Sequence, residues 1–273
     1  MPAGSGRPFI KMHGLHNHFV IVDARQEPFR PDSDEIVRIC DPEHGIGADE
    51  LIVVEPSDKA DIFMRIYNVD GREVEACGNA TRCVAWLLFE ETSQSEVTIE
   101  TLAGVLPCNR VSDDLVSVGM GLVSMDWQVI PLAEQRDTLH LDISEGNLED
   151  PVALNVGNPH AVFFVDELDD VDIKALAPKI QANPLFPDGV NVSVAQVTGN
   201  SSMQLKVYER GVGLTMACGS GACAAAVAAT KRGLLPAGRI DIALPGGLVT
   251  IDVAPDDSVT MTGPTAVEFE GTL

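Results

Sequence analysis

Sliding the chain along itself by 141 positions brings four polar landmarks and a Cys-Gly pair into coincidence, and this internal repeat constrains the fold more than any other feature. Asn17 falls on Asn158, each at the mouth of an apolar run. Residues 45–53 fall on 186–194, Asn68 on Glu209, and Ala76-Cys77-Gly78-Asn79 on Ala217-Cys218-Gly219-Ser220. With a slip of two residues, 116–120 meets 259–263. Unrelated Gly- and Asn-rich loops do not keep one offset over so many landmarks. The chain is therefore expected to form two similar lobes, 1–122 and 123–265, with residues 266–273 returning to the first.

Both lobes have the same coarse order. Short Val- and Ile-rich runs bounded by Gly, Pro, Asn and Asp read as strands at 19–23, 51–55, 62–68, 97–101 and 115–120. Their counterparts lie at 161–165, 191–196, 203–209, 240–243, 249–253 and 258–262. The stretches 81–91 and 222–234 are long, rich in Ala, Leu and Val, and nearly free of breakers, so they read as buried helices. The expected class is α+β: two pseudo-symmetric lobes, each a mixed or antiparallel, barrel-like sheet wrapped around a central helix. A dinucleotide-binding sheet is disfavoured, because no strand runs into GxGxxG.

The formal net charge of −23 argues against a nucleic-acid partner, since the longest basic cluster is the pair Lys231-Arg232. It also means that a carboxylate ligand must be held by local donors. Residues 1–20 have no apolar core behind a basic head, so no export signal is expected. No run approaches the roughly 18 apolar residues of a membrane span, and no membrane partner is expected. The six cysteines are best read as reduced thiols of a cytoplasmic protein, with no paired CxxC motifs to suggest zinc.

Cys77 and Cys218 each stand just before the first turn of a predicted helix. Free N–H groups and the helix dipole at that place favour a thiolate, so both pKa values are expected to fall toward neutrality. The amides of Gly78-Asn79 and Gly219-Ser220 form a natural cradle for a carboxylate. Two such cysteines on lobes related by a pseudo-twofold axis suit the inversion of a stereocentre. One base takes the α-proton from one face, an acid returns a proton to the other, and amides stabilise the charge gathering on the carboxylate. No cofactor is implied. Cys83 and Cys223 lie within the apolar helices and read as buried packing groups.

These residues bring the chain to a family. It resembles the diaminopimelate epimerases over nearly its whole length, through Lys11-Met12-His13-Gly14-Leu15, Asn68-x-Asp70-Gly71 and Ala76-Cys77-Gly78-Asn79-Ala80-x-Arg82-Cys83. Gly157-Asn158-Pro159-His160, Tyr208-Glu209-Arg210-Gly211 and Ala217-Cys218-Gly219-Ser220-Gly221 extend the match. The resemblance implies a cofactor-independent homodimer that interconverts LL- and meso-diaminopimelate for lysine and peptidoglycan synthesis. It implies Cys77 and Cys218 as catalytic bases tuned by His160 and Glu209, with Gly78, Asn79, Gly219 and Ser220 at the reacting carboxylate. By the same resemblance, Glu209 and Asn68 hold the reacting amino group. Asn17, Asn158, Asn191 and Arg210 read the distal end, and Phe269 sits at the dimer contact.

Departures from the family pattern cluster near the distal end. His16 stands where glycine is usual, His18 where Asp or another residue is usual, Glu50 where glutamine is usual, and Ala80 where glycine is common. Glu50 is expected to pair with the distal ammonium. A racemase of the same fold acting on another amino acid, and a non-catalytic amino-acid-binding protein, are the competing readings of the same cleft.

Overall fold

The computed structural model describes residues 6–273; residues 1–5, the start of the stretch read for an export signal, lie outside it. The described residues divide into two compact units, one formed by 6–118 with Gly263–Leu273 and the other by Gly119–Thr262. Four α-helices are described: α1 (Ser33–Cys40), α2 (Gly78–Thr92), α3 (Ile173–Gln181) and α4 (Gly219–Lys231). Strands are far more numerous, and the class is a sheet-dominated α+β fold. Among the described residues no helix is long and apolar enough to cross a membrane.

In the first unit the pairing order runs Ala266–Thr272, Pro8–Gly14, Asn17–Asp23, Glu50–Glu55, Ile62–Asn68, Glu96–Thr101, Gly104–Arg110, Leu115–Leu122. Two steps in that order are parallel, Asn17–Asp23 with Glu50–Glu55 and Ile62–Asn68 with Glu96–Thr101. A parallel pair cannot be joined by a tight turn and needs a crossover connection, usually a helix. Helix α1 fills the first crossover and α2 the second. The second unit repeats this plan. Val152–Asn155, Pro159–Phe164, Asn191–Gly199, Ser202–Glu209, Gly238–Leu244, Gly247–Val253 and Ser258–Pro264 pair in turn, with parallel steps at the second and fourth joints. Its two crossovers are α3 and α4.

The repeat extends to individual registers. Phe19 pairs with Glu50 and His160 with Asn191; Leu51 pairs with Tyr67 and Val192 with Tyr208; Ile66 pairs with Val74 and Val207 with Thr215. All six positions are related by the 141-residue offset. Beyond the second helix, Cys108 pairs with Val118 and Ile251 with Met261, an offset of 143. The extra two residues are therefore absorbed between the central helix and the strand after it.

Strand alternation sorts the apolar residues onto two layers. Val20, Val22, Leu51 and Val53 pack with Ile36 and Ile39 of α1. Their equivalents Ala161, Phe163, Val192 and Val194 pack with Ile173, Ala177 and Ile180 of α3. The opposite face of each sheet curls around α2 or α4. Helix α4 is buried on all sides, with Ala222, Cys223, Ala224, Ala225, Ala226, Val227, Ala228 and Ala229 all inside. A helix without a polar face belongs to an interior rather than a surface. It ends at Lys231, three residues before the sequence pattern suggests, because Gly233 turns at φ +68°.

Helices α1 and α3 go beyond the sequence reading. Each starts on an aspartate cap: Asp32 accepts from the Glu35 amide at 2.8 Å and Asp172 from the Ala175 amide at 3.2 Å. Ile36, Ile39 and Cys40 of α1 are buried, and so are Ile173, Ala177 and Ile180 of α3.

Candidate active site

Cys77 and Cys218 are both the N-cap residues of the buried helices. Their backbones are extended, at φ −144°, ψ 108° and φ −128°, ψ 107°, and the helix begins at the following glycine. Helical hydrogen bonding starts only at Thr81, whose amide donates to the Cys77 carbonyl, and at Ala222, whose amide donates to the Cys218 carbonyl. The three amides before each of these have no intrahelical acceptor by geometry. The repeat thus gives the same local frame to both cysteines, and the side chains around them differ.

In the first unit Cys77 is half-buried and its Sγ lies 3.8 Å from Asn17 Oδ1. That oxygen also accepts from Asn79 Nδ2 at 3.1 Å. Asn17 Nδ2 donates to Asp49 Oδ2 at 3.1 Å, and the same oxygen takes the His18 amide at 2.7 Å. Asn79 Oδ1 accepts from Arg82 Nη2 at 2.9 Å, deep under Gly14, where an added Cβ would stand 3.1 Å from that guanidinium nitrogen. Arg82 is fully buried. Asn17 is placed by a two-residue turn in which Leu15 and His16 both have positive φ, 58° and 61°. Glycine takes that conformation without strain, and a histidine there is uncommon. The imidazole of His16 stacks on that of His13 at 5.4 Å, and His18 lies beside both while its Nδ1 contacts Glu268. Burial and the neighbouring His18 hold the His13 pKa below its ordinary value. Glu50 opens its strand directly opposite Asn68, the last residue of the next strand.

In the second unit Cys218 is buried, with Sγ 3.5 Å from Ser220 Oγ. Ser220 Oγ lies 3.0 Å from His160 Nε2, which also lies 2.9 Å from Asn158 Oδ1. His160 is wholly buried, and burial together with the Arg210 charge pulls its pKa down to about 3, so the ring is neutral. Its Nδ1 has no hydrogen-bond partner, whereas Nε2 meets an amide oxygen. The proton therefore belongs on Nε2, since a bare lone pair is cheaper to bury than an orphaned N–H. Thr215 Oγ1 donates to Glu209 Oε1 at 2.6 Å, and the Glu209 carboxylate hydrogen-bonds the Cys218 thiol. Asn191 Oδ1 accepts from the Arg210 amide at 2.8 Å, while the Arg210 guanidinium donates to the Asp188 carbonyl at 2.6 Å.

One sequence expectation is corrected. Burial pushes the Cys218 thiol well above its ordinary pKa, the Glu209 charge pushes the same way, and the pull of Ser220 and the Gly221 amide does not offset them. The helix N-terminus acts with the expected sign, but desolvation wins. Cys40, Cys83 and Cys108 are raised by burial to about 11, 12 and 12, as fits packing groups.

Within the first unit Asn17, Asn79 and Cys77 come together, and within the second Asn158, His160, Glu209, Ser220 and Cys218 do. Phe269 is half-exposed, edge-on to Phe9 at 5.9 Å and under Lys11 Nζ at 5.6 Å. The sequence reading passed over Asp49, Arg82, Thr215 and Gly221. Two of these had a local signal: Arg82 is a cation inside an apolar helix, and Gly221 follows the cysteine motif at one turn. Any Cβ at Gly221 would stand 2.8 Å from Val207 and 3.3 Å from Cys218 Sγ. Among the described residues no group of His, Cys, Asp and Glu is arranged to hold a metal ion.

Solved structures share this fold at low identity. A phenazine biosynthesis protein of the PhzF family from Bacillus anthracis superimposes with a TM-score of 0.72 at 16% identity, covering 98% of this chain and 99% of that one. A hydroxyproline epimerase from Agrobacterium vitis gives 0.71 at 15%, covering 100% and 94%. Sequence relatives are much nearer. The diaminopimelate epimerase of Erythrobacter litoralis is 49% identical over 97% of this chain and 96% of its own length. That of Acidiphilium cryptum is 47% identical over 98% and 97%. The family model for diaminopimelate epimerase matches residues 9–125 and 152–267. On that match and those identities, the chain belongs to the diaminopimelate epimerase family of isomerases.

Proposed function

We propose that this protein inverts one stereocentre of diaminopimelate, interconverting the LL and meso forms, with Cys77 and Cys218 as its two bases and no cofactor. The observation that carries the reading is the pair of cysteine N-caps at equivalent positions of a repeated register, in a chain of this family. One thiolate removes the α-proton and the other thiol protonates the opposite face of the same carbon. The amides of Gly78, Asn79, Gly219 and Ser220 take up the charge that grows on the carboxylate. Asn68 and Glu209 hold the reacting ammonium, and Asn17, Glu50, Asn158, Asn191 and Arg210 read the distal end. His160 tunes Cys218 through Ser220.

Glu209 has two effects in this scheme. Without substrate, burial first and then the Glu209 charge keep Cys218 protonated. A substrate ammonium beside Glu209 offsets the carboxylate's share of that shift and leaves burial as the main cause, so ionisation of the thiol becomes easier when there is an α-proton to remove. The remaining elements of the proposal are cytoplasmic action in lysine and peptidoglycan synthesis, and a homodimer whose contact includes the half-exposed Phe269.

The test is α-proton exchange in deuterated water, with LL-diaminopimelate and a panel of other amino acids. Deuterium entering diaminopimelate with inversion, lost in Cys77→Ala and in Cys218→Ala, is the expected result. Exchange into a different amino acid alone would move the substrate and keep the two-base chemistry. No exchange into anything would leave an amino-acid-binding protein.

A further inference from the structure

We infer that Asp49 is a positioning residue that keeps Cys77 in its thiol form by fixing which end of the Asn17 amide the sulfur meets. The inference deepens the proposed function and rests on the role given there to Cys77.

An asparagine side chain can turn either its oxygen or its NH2 group toward a neighbour, and the two ends are distinguished only by their partners. Around Cys77 the partners leave no choice. The Asp49 carboxylate is an acceptor only, so the part of Asn17 that it meets at 3.1 Å is the NH2 group. At the other end the Arg82 guanidinium is a donor only, so the part of Asn79 that it meets at 2.9 Å is the oxygen. Asn79 therefore presents its NH2 group to Asn17, and Asn17 presents its oxygen to Asn79. Both amides are locked by opposite charges at the two ends of one chain of hydrogen bonds. Asp49 is itself held, because the oxygen that Asn17 meets also takes the His18 amide at 2.7 Å.

The consequence falls on Cys77. Its Sγ lies 3.8 Å from Asn17 Oδ1, an acceptor held in place by Asp49 on the NH2 group and by Asn79 Nδ2 on the oxygen itself. A thiol can donate to that oxygen. A thiolate would meet a carbonyl dipole pointing its negative end at the sulfur. A hydrogen bond to the neutral form raises the pKa of an acid. The second unit has no such lock: Asp49 corresponds to Val190 and Arg82 to Cys223. Cys218 meets instead a serine hydroxyl, which can donate or accept, and the Glu209 carboxylate, whose effect on the thiol is its charge and not a locked amide.

The experiment is the pH dependence of iodoacetamide labelling at Cys77, read peptide by peptide by mass spectrometry in the full-length protein. Asp49→Ala releases the NH2 end of Asn17 while Asn79 Nδ2 still holds its oxygen, so the acceptor is kept less firmly on the sulfur and the onset of labelling is expected to move down by up to about one pH unit, roughly a tenfold gain in rate near neutrality. Asp49→Asn can set an amide oxygen where the carboxylate oxygen stood, so it is expected to restore the wild-type profile. In an Asn17→Ala background, where the onset is already lowered, Asp49→Ala is expected to add nothing. An unchanged profile in Asp49→Ala would overturn the inference. An equal shift in Asp49→Asn would also overturn it, by assigning the effect to the charge itself. If Asp49→Ala does not fold, Asn17→Ala alone decides, because a wild-type profile there removes the acceptor from the account. Labelling needs no turnover, so a protein that fails to exchange diaminopimelate still answers this question.

Discussion

The two cysteines share a backbone frame and live in opposite polar surroundings. Around Cys77 the hydrogen bonds run out to two full charges, Asp49 and the buried Arg82. Around Cys218 they run to a neutral, buried imidazole and to a carboxylate that touches the sulfur. Even the strand pair beside each cysteine is reversed. The first unit sets Glu50 opposite Asn68, and the second carries Asn191 and Glu209 at the equivalent positions. A duplicated fold conserves register because a slip of one residue turns every side chain to the other face. It does not conserve proton affinity, which a single substitution can reverse. The halves of this molecule are thus one scaffold with two chemistries.

The comparison is broken most severely by Glu209→Asn, which gives the second unit the residue of the first. Turnover is expected to fall roughly 10²–10³-fold, the scale of losing one preorganised charged contact in a site. Labelling of Cys218 should begin at lower pH, since the carboxylate that raises its pKa is gone. An unmoved labelling onset would mean that burial alone holds the proton.

His160→Phe, which imports the residue at the equivalent position 19, tests the second unit in another way. The folded pKa of His160, about 3, lies below the ordinary value near 6.5. The unfolded chain therefore binds more protons than the folded one between those limits, and the stability given by the neutral ring is lost as pH falls from about 6.5 toward 3. The slope is up to about 1.4 kcal/mol per pH unit. His13 adds a smaller loss of the same sign just below pH 6.5, because its pKa is also lowered. Denaturant titrations at several pH values should show the acid slope flattened in His160→Phe, and an unchanged slope would contradict the neutral buried ring.

Smaller effects sharpen the contrast. Arg82→Met should cost about 2–3 kcal/mol, because it strands the Asn79 oxygen and changes a fully buried volume. Its counterpart Cys223→Ala should cost about 1 kcal/mol of packing. Equal costs in calorimetry would argue against a structural role for the charged end. His16→Gly should raise stability by about 0.5–1 kcal/mol, the roughly 1–2 kcal/mol cost of a left-handed backbone less glycine's extra chain entropy, and a lower melting temperature would mean that the His13 stack outweighs the strain.

The repeat, the buried helices and the cysteine positions were legible because they are local patterns or simple offsets. The 141-residue shift found from Asn17, Asn68 and Cys77 reappears in the strand registers, and the slip of two reappears beyond the second helix. Helices α1 and α3 were not legible from periodicity, being only 8 and 9 residues long. The parallel pairing demands them, and parallel pairing is a property of the assembled sheet. Asp49 and Thr215 were missed for a related reason, since their work is done on partners brought near by folding. The raised Cys218 pKa depends on desolvation, which no motif encodes.

Helix α4 carries a consequence for how the gene can vary. Six alanines between positions 222 and 229 are enclosed on every side. One nucleotide change turns an alanine codon into glycine, valine, serine, threonine, proline, aspartate or glutamate. Glycine and proline weaken a helix by about 1 and 3 kcal/mol, and each of the others brings atoms or polarity into a space already filled. No neutral step leads out of this segment by single mutation, so natural variation should thin out across 222–229 even though none of those six alanines touches a proton in the reaction.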